Sequence, residues 1–355
     1  GSVLLEKSPD TPFQPASLAK LMTIDLTLEA LSRGDLQPDQ EVPISRRAWQ
    51  EGGAGSGGST MFAKVGSSVP VIDLLRGVIV QSGNDAAIAL AEALAGSSEA
   101  FVTRMNARAA ALGMAATHFA NPTGYFDPDQ KVSARDLAIL ARHLVQAHPA
   151  ESSIFAERQF TWNRISQPNR NPLLDKVPGA DGLKTGFLKE AGYSLVGSAV
   201  QQGRRVIAVL AGYSTARDRA TDSARVFQWA FRNFEVRHLF DVKAPVADAE
   251  VFAGSASTVS LVLPHGLDVV VEKSGPPLKL RARYEGPLRA PVRSGDAVGR
   301  IVVRQGGRTI AEAPLVAGAA VERDGFVGQA TDAALELTKQ GFRDLVSEVE
   351  RRFGG

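Results

Sequence analysis

The chain contains no cysteine among its 355 residues and only five histidines. The missing thiols exclude disulfide bonds, zinc–thiolate sites and cysteine nucleophiles. The histidines form neither an HExxH motif nor a pair at metal-ligand spacing, so the sequence predicts no metal site and no cofactor. They are His118, His143, His148, His238 and His265.

Long apolar runs and a strong charge of one sign are also absent. No run approaches the roughly 18 apolar residues of a membrane-spanning helix. The formal net charge is +2, with the charges spread along the chain, whereas a nucleic-acid-binding domain usually carries a dense basic patch. We therefore expect no membrane span and no nucleic-acid partner. The length of 355 residues favours two domains.

The first 240 residues combine helical and strand patterns. Residues 17–33 predict a helix that is apolar on most sides, with Asp25 and Glu29 as its solvent-facing stripe. Further helical patterns lie over 98–112, 133–147 and 217–233. Alternating or continuous apolar runs between the last two helices are typical of strands. This order predicts an α+β domain over residues 1–240, a helix cluster against an antiparallel sheet.

The pattern changes near residue 244 to short strands separated by glycine and proline, and QGGR is typical of a hairpin turn. We predict a small all-β domain over residues 241–325, in which no chemistry is identifiable. Residues 326–355 predict an amphipathic C-terminal helix of mixed charge. Its apolar face would contain Phe342, Leu345, Val346, Val349 and Phe353.

Glycines 53, 55 and 58 satisfy the G-x-G-x-x-G pattern of dinucleotide-binding loops. That loop requires a buried strand before it and a helix after it. RRAWQE before the glycines is not a buried strand, and STMFAKVGSSVP after them is not a helical pattern. We therefore interpret residues 51–60 as a mobile glycine-rich loop.

Three short elements remain that could carry chemistry: Ser17-x-x-Lys20, Ser82-Gly83-Asn84 and Lys184-Thr185-Gly186. Each is weak evidence alone. Ser17 has the alternative of a helix cap, Ser82 of a loop serine and Lys184 of a surface lysine on a strand. Their joint occurrence in this order is what favours a catalytic site.

The spacing of Ser17 and Lys20 gives a nucleophile and its base. Residues three apart lie on one face of a helix, so the Lys20 amine can reach the Ser17 hydroxyl. An amine serves as a base only when it is neutral. The pKa of Lys20 must therefore fall by about three units, which costs roughly 4 kcal/mol. Burial and a second cation, Lys184, both act in that direction.

The other two elements supply substrate contacts and proton transfer. The hydroxyl of Ser82 can relay a proton, and the amide of Asn84 can hold a substrate carbonyl. Lys184-Thr185-Gly186 is predicted on an edge strand, along which an extended peptide can pair, and Gly186 permits its close approach. The N–H groups of Ser17 and Phe187 would form an oxyanion hole.

These elements resemble the SxxK, SxN and KTG signatures of the penicillin-binding serine enzymes. The whole chain is similar to the low-molecular-mass D-alanyl-D-alanine carboxypeptidases of the penicillin-binding protein 5 type. Matching blocks include PASLAKLMT, LLRGVIVQSGNDAAIALAE, THFANPTG, SARDLA, NRNPLL, DGLKTGFLKEAGYSLVGSA and FQWAFRNFE.

The resemblance implies a role for each site residue. Ser17 would be the acylated nucleophile and Lys20 its base. The second element would be Ser82 and Asn84, and the third Lys184 and Thr185. Arg170 and Arg219 match arginines near the active site, and Arg219 with Thr185 is the candidate for gripping the terminal carboxylate of the substrate. A structural ion pair is the alternative for either arginine.

The resemblance also implies partners and a location. We expect an enzyme that removes the last D-alanine of peptidoglycan pentapeptides through an acyl-Ser17 intermediate, which β-lactams would trap. It would act in the periplasm, with the C-terminal helix on the outer face of the bacterial inner membrane. Some relatives carry histidine after KTG where this chain has Phe187, so a side-chain role there is absent while the backbone role remains.

Three alternatives stay open. A class A β-lactamase has S-D-N in place of Ser82-Gly83-Asn84 and a glutamate in an E-x-x-x-N context, and no glutamate here has that context. A DD-endopeptidase would act on cross-linked peptides with the same residues. A non-catalytic wall-binding protein would not be expected to keep all three signatures intact.

Overall fold

The computed structural model describes residues 1–324, which belong to two compact units. One unit is Leu5–Phe231, and the other contains Gly1–Leu4 and the described chain from Arg232 to residue 324. The α-helices are α1 (Lys20–Arg33), α2 (Arg46–Gly52), α3 (Val71–Val80), α4 (Asn84–Ala95), α5 (Ser98–Ala111), α6 (Ala134–Ala147), α7 (Leu173–Lys176) and α8 (Ala216–Asn233). Turns of 3₁₀-helix occur at Ala16–Ala19, Ala54–Ser56 and Glu151–Ala156.

The strands are β1 (Glu41–Pro43), β2 (Ser68–Pro70), β3 (Gln159–Trp162), β4 (Ile165–Pro168), β5 (Ala180–Leu188), β6 (Gly192–Gln201), β7 (Arg204–Tyr213), β8 (Phe234–Phe240), β9 (Pro245–Phe252), β10 (Thr258–Val262), β11 (Leu267–Glu272), β12 (Leu278–Tyr284), β13 (Leu288–Arg289), β14 (Ala297–Gln305) and β15 (Arg308–Ala317). They pair antiparallel, except that β13 pairs parallel with β9.

Helix α1 lies in the core of the first unit. Ten of its 14 residues are buried, and α3 and α4 contribute further apolar side chains to the same core. The expectation that Asp25 faces solvent is wrong, because its carboxylate is fully buried and accepts a hydrogen bond from Arg108 Nε at 2.8 Å. Glu29 is half-buried and lies 3.3 Å from the same guanidinium.

Strands β5, β6 and β7 form an antiparallel sheet in that order, with β5 at one end. The KTG segment therefore lies on an end strand, as its sequence predicts. In the register of β5 and β6, Thr185 faces Leu195, Gly186 faces Ser194 and Phe187 faces Tyr193. The α+β fold predicted for this region is confirmed.

The second unit is built from strands. Six of them form one sheet in the order β12-β14-β15-β10-β9-β13, and β8 pairs with β11. Their inward side chains, among them Leu261, Val271, Val303 and Leu315, form a separate apolar core. The predicted all-β character is confirmed. The predicted C-terminal helix lies outside the described residues, and the domain limits at 240 and 325 stay predictions.

Most helices of residues 1–324 are short compared with a membrane span. No single helix there is long and apolar enough to cross a bilayer. Helices α4 and α5 reach that length and composition only together, across a bend of 83°, and α4 is largely buried in the core of the first unit.

Candidate active site

The three sequence elements meet around one cavity of about 730 Å³ in the first unit. The 3₁₀ turn before α1 supplies Ser17, the break between α3 and α4 supplies Ser82 and Asn84, and β5 supplies the third element. Of the ten residues singled out from the sequence, eight line the cavity, while Lys20 and Lys184 lie buried behind the two serines. The eight are Ser17, Ser82, Asn84, Arg170, Thr185, Gly186, Phe187 and Arg219.

Ser17 and Lys20 are in direct contact. The Lys20 Nζ lies 3.0 Å from the Ser17 Oγ and donates to the Thr123 carbonyl at 2.5 Å. The Ser17 side chain does not cap the helix. A neutral amine can donate to Thr123 and still offer its lone pair to the serine proton. The pair therefore has the geometry of a nucleophile and its base.

The electrostatics of Lys20 favour the neutral amine. Its side chain is fully buried, and burial lowers its pKa to about 7, with the positive charge of Arg170 acting in the same direction. The negative charge of Asp85 opposes them. The sequence predicted the effect of burial and a coupling between Lys20 and Lys184, and the charge of Lys20 does lower the pKa of Lys184. The cation that acts on Lys20 is Arg170, which lines the cavity and which the sequence did not connect with Lys20.

Lys184 and Ser82 form the second lysine–serine pair. The Lys184 Nζ donates to Ser82 Oγ at 2.9 Å and to the Thr185 carbonyl at 3.1 Å. Burial lowers the pKa of Lys184 well below its usual value, and the charges of Lys20, Arg170 and Arg219 add to this effect. Ser82 has a φ of +61°, a left-handed conformation that is uncommon for serine and turns its hydroxyl toward Lys184.

The backbone under Ser17 is also unusual. Ala16 has a φ of +50°, and its carbonyl contacts Gly124, where an added Cβ would collide with that oxygen. Asn121 Oδ1 holds the surrounding turn by accepting from the N–H groups of Gly124 and Tyr125 at 2.8 and 3.1 Å. The same turn presents the Thr123 carbonyl to Lys20. This turn belongs to THFANPTG, one of the blocks that match the family, but the sequence alone indicates no role for it.

Asn84 begins α4 and donates from Nδ2 to the Tyr125 hydroxyl at 2.9 Å. That hydroxyl donates to the Glu51 carbonyl at 2.6 Å. A Cβ on Gly58 would lie 2.6 Å from Asn84 Nδ2, so only glycine fits there without displacing the amide. Gly57, Gly58 and Ser59 line the cavity. The glycine-rich stretch is thus part of the cavity wall, and the segment before it is the helix α2, not a strand.

Asp85 is a buried carboxylate that sequence reasoning missed. It accepts from the Thr60 hydroxyl at 2.6 Å and from the N–H groups of Met61 and Ala63 at 2.9 and 3.1 Å. These bonds fix the chain that leaves the glycine-rich loop against the start of α4. Its position next to Asn84 was the available signal, but nothing in the sequence indicates contacts with residues some 25 positions away.

Arg219 and Phe187 form one rim of the cavity through Tyr193. The Arg219 guanidinium carbon lies 5.7 Å from the Tyr193 ring centroid. The Phe187 ring stacks on the Tyr193 ring, with 4.2 Å between the ring centroids. Arg219 Nε is buried without a hydrogen-bond partner among the described residues. Burial lowers the pKa of Arg219 and of Arg170. A structural ion pair was the alternative role for these arginines, and neither forms one within residues 1–324.

A second group of titratable side chains lies away from the cavity. Asp25 Oδ1 is 3.3 Å from His143 Nε2 and 3.8 Å from His148 Nε2, a spacing that could hold a metal ion. Arg108 occupies the same place, with Nη2 3.1 Å from His143 Nε2. A guanidinium there uses the histidine lone pair and repels a cation, so we interpret the group as a buried ion-pair cluster.

Comparisons with known proteins identify relatives of both parts of the chain. The D-alanyl-D-alanine carboxypeptidase family matches residues 1–215, and the C-terminal domain of penicillin-binding protein 5 matches residues 234–323. The D-alanyl-D-alanine carboxypeptidase DacC of Escherichia coli is 39% identical over 347 residues, covering 96% of this chain and 86% of the relative. The corresponding enzyme DacA of Haemophilus influenzae is 37% identical over 348 residues, covering 96% and 87%.

Solved structures give the same relationship. Penicillin-binding protein 5 from Haemophilus influenzae has a TM-score of 0.81 at 37% identity, covering 91% of this chain and 94% of that one. Penicillin-binding protein D2 from Listeria monocytogenes, solved with ampicillin bound, has a TM-score of 0.56 at 30% identity over 65% of this chain and 92% of its own. The predicted family, fold and enzyme class are confirmed: the chain belongs to the D-alanyl-D-alanine carboxypeptidase family of serine peptidases.

Proposed function

We propose that the cavity is the active site of a serine D-alanyl-D-alanine carboxypeptidase that removes the terminal D-alanine from peptidoglycan pentapeptides. The single observation that carries the proposal is the buried Lys20 amine, with a pKa of about 7, in contact with Ser17 Oγ. Near neutral pH a large fraction of this amine is unprotonated and can accept the serine proton.

Acylation begins when Lys20 takes the hydroxyl proton and Ser17 Oγ attacks the carbonyl carbon of the penultimate D-alanine. The carbonyl oxygen becomes an oxyanion, which the N–H groups of Ser17 and Phe187 stabilise. The bond to the terminal D-alanine then breaks, and its nitrogen takes the proton that Lys20 had accepted, relayed through Ser82, which Lys184 contacts at 2.9 Å. Lys20 is thereby neutral again. The products are free D-alanine and the acyl-Ser17 ester.

In deacylation water is the nucleophile and Ser17 is the leaving group. Water attacks the ester carbonyl while a neutral lysine, Lys20, accepts one of its protons. The Ser17 oxygen leaves and is reprotonated, which releases a shortened peptide with a new carboxylate. Asn84 lies on the cavity wall, where its amide can hold the peptide chain during both steps.

The cationic side of the cavity selects a substrate with a free carboxylate. Arg219 Nε has no hydrogen-bond partner among residues 1–324, and Thr185 lines the same cavity, so the two can bind the carboxylate of the terminal D-alanine. Arg170 adds positive charge to this side. A carboxypeptidase needs such a contact, whereas cleavage inside a longer chain does not.

β-Lactams would acylate Ser17 in place of the peptide. The relative from Listeria monocytogenes was solved with ampicillin bound, which supports the same chemistry here. Incubation with penicillin followed by mass spectrometry of the intact chain tests this: we expect one adduct on the parent and none on Ser17→Ala. A parent chain without an adduct would contradict the proposed active site.

The same experiment separates the alternatives. Slow loss of the adduct is expected for a carboxypeptidase, and rapid penicillin turnover would indicate a β-lactamase. Release of D-alanine from a peptide ending in D-Ala-D-Ala, compared with cleavage of a cross-linked dimer, distinguishes a carboxypeptidase from an endopeptidase. Binding of the peptide without release of D-alanine would indicate a wall-binding protein.

We also propose a location and a domain organisation. The catalytic domain would span residues 1–240, the β module 241–325 and an amphipathic segment 326–355, with the chain in the periplasm at the outer face of the inner membrane. The β module would serve as a stalk or as a docking domain for a partner. Removal of residues 326–355 should weaken co-sedimentation with liposomes, and unchanged binding would contradict a membrane role for this segment.

A further inference from the structure

A basic face lies on two neighbouring strands of the second unit and has no part in the catalytic proposal. We define it as the five cations on the outer side of β12 and β14. They are Lys279, Arg281, Arg283, Arg300 and Arg304. The residues between them, Leu280 and Ala282 on β12 and Ile301 and Val303 on β14, are buried in the apolar core. Because side chains alternate along a strand, the five cations project from the opposite side of the sheet.

The register places like charges directly opposite each other. Lys279 pairs with Arg304 and Arg283 pairs with Arg300, while Arg281 faces the small apolar Val302 between them. Like charges opposite each other on an antiparallel pair are destabilising. The isolated sheet is therefore less stable than it would be with neutral side chains at these positions.

Few carboxylates compensate the basic face. Within residues 1–324, Glu312 approaches Arg300 at 3.9 Å, and Arg304 donates to the Gly307 carbonyl at 2.6 Å. Lys279, Arg281 and Arg283 form no ion pair with any described residue. The repulsion within the face is thus left for an external anion to relieve.

The charge is segregated rather than general. Residues 234–323 contain 12 lysines and arginines against 10 aspartates and glutamates, yet five of these cations occupy one side of two strands. Residues 325–355 contain four cations and five carboxylates, so they add no positive surplus. The basic face is the one place in this half of the described chain where the register brings five cations together.

We propose that the basic face binds the phosphate groups of anionic phospholipids. Four of the five cations are arginines, whose planar fork matches phosphate oxygens. Side chains stand roughly perpendicular to a sheet, so their charged ends reach one plane and match a planar array of headgroups better than a single polymer strand. Each cation near an anionic bilayer strengthens binding roughly fivefold.

This proposal rests on the periplasmic location proposed above and is independent of the catalytic residues. An apolar segment alone gives weak membrane attachment, and a basic patch is a common second contribution. Residues 326–355, for which the sequence predicts an apolar helix face, have no positive surplus and lack that contribution. The basic face would supply it.

The test compares two triple variants of the full chain that remove the same charge. The first is Lys279→Gln/Arg281→Gln/Arg283→Gln, which neutralises the three unpaired cations of the basic face. The matched control is Lys243→Gln/Arg289→Gln/Arg293→Gln, which removes three exposed cations elsewhere in the module. Arg289 lies on β13, at the opposite end of the six-stranded sheet. Binding is measured by co-sedimentation with phosphatidylcholine vesicles with and without phosphatidylglycerol.

We expect the parent and the control to bind vesicles with phosphatidylglycerol more tightly than neutral vesicles. The basic-face variant should bind the anionic vesicles roughly 100-fold more weakly than the parent. Equal losses in both triple variants would overturn the proposal, because net charge alone would then explain binding. A loss of binding to purified peptidoglycan but not to vesicles would overturn it in favour of wall carboxylates as the partner.

Two further readouts separate this proposal from folding and from catalysis. Removal of the opposed cations should raise the thermal unfolding midpoint of the basic-face variant slightly. Weaker vesicle binding together with a higher midpoint would support the proposal that these cations serve binding although they lower stability. A lower midpoint would attribute the loss of binding to unfolding and overturn the proposal. Release of D-alanine from a soluble peptide should be unchanged, so failure of the catalytic proposal leaves the vesicle result interpretable.

Discussion

The two units of this chain use the same residue types under opposite conditions. The first unit buries Lys20 and Lys184 beside Arg170 and Arg219, and burial lowers the pKa of both lysines. The second unit keeps its clustered cations on the outer side of a sheet. Desolvation turns an amine into a base, while solvent lets it remain a charge that attracts anions. The comparison shows that exposure, more than residue type, decides what a group of cations can do.

The largest expected effect concerns the buried cations of the first unit. Lys20→Met keeps an unbranched side chain of similar size but removes the amine. We expect acylation of Ser17 by penicillin to slow about 10³-fold or more, the range of a lost general base. Stopped-flow or quenched mass-spectrometric measurement of the acylation rate checks this.

Lys20→Arg is the matched control, because it keeps a positive charge that cannot act as a base. It should be as slow as Lys20→Met, and recovery of the rate in the arginine variant would show that charge rather than basicity matters. In the parent, the acylation rate should rise with pH and level off above about 7, since the pKa of Lys20 is lowered to about 7. Both variants should lose this pH dependence.

A smaller effect tests the cationic rim. Arg219→Gln removes the guanidinium with the unpartnered Nε, and kcat/KM for a peptide ending in D-Ala-D-Ala should fall by about 10- to 100-fold, as for a lost charged hydrogen bond. The measurement is D-alanine release over a range of substrate concentrations.

A peptide ending in a C-terminal amide is the control substrate for Arg219. If the arginine binds the terminal carboxylate, the parent and Arg219→Gln should handle the amide equally slowly. A loss of the same size on both substrates would indicate that Arg219 supports the fold instead of the substrate.

The burial of Lys20 also predicts how stability depends on pH. The unfolded chain holds the Lys20 proton up to its ordinary pKa of 10.5, whereas the folded chain loses it near about 7. Between these values the unfolded state binds more protons, so the free energy of unfolding should rise with pH, by about 1.4 kcal/mol per unit for this one group. The lowered pKa of Lys184 acts in the same direction.

Urea unfolding at several pH values measures this slope in the parent and in Lys20→Met. The variant should show a smaller slope because it has no proton to lose. An identical slope in both proteins would mean that the amine is hydrated in the folded state.

The smallest effect concerns Phe187, whose ring is 52% exposed and stacks on Tyr193. Phe187→Ala keeps the backbone N–H proposed for the oxyanion hole, so acylation should slow only about threefold, as for a lost aromatic contact. Phe126→Ala, which removes another exposed ring, should leave the rate unchanged. A loss of a hundredfold or more in Phe187→Ala would show that the side chain positions the backbone.

Local chemistry was readable from the sequence where the partners are close along the chain. The spacing of Ser17 and Lys20 predicted their contact, and the apolar pattern predicted α1 and the end strand that carries Lys184. The three signatures were joined by resemblance to a known family, since spacing alone does not bring residues 17, 82 and 184 together.

What the sequence could not supply depends on contacts over long separations. The Lys20 bond to the Thr123 carbonyl spans 103 positions, and the bond from Asn84 to Tyr125 spans 41. Asp25 was assigned to solvent because a carboxylate usually is, and its partner Arg108 lies 83 positions away. Alternation in LKLRARY places Lys279, Arg281 and Arg283 on one side of β12, but the register that sets Arg300 and Arg304 opposite them is not specified by any local pattern.

The contact between Gly124 and the Ala16 carbonyl has a consequence for antibiotic escape. A single methyl group at Gly124 would push the turn that bears Ser17 out of alignment without removing any polar atom. In the proposed mechanism the drug and the natural peptide both acylate Ser17, so such a change would reduce cell-wall trimming together with drug sensitivity. Because Gly124 packs so closely against the Ala16 carbonyl, we expect few substitutions at Gly124 that weaken drug binding and preserve peptide binding.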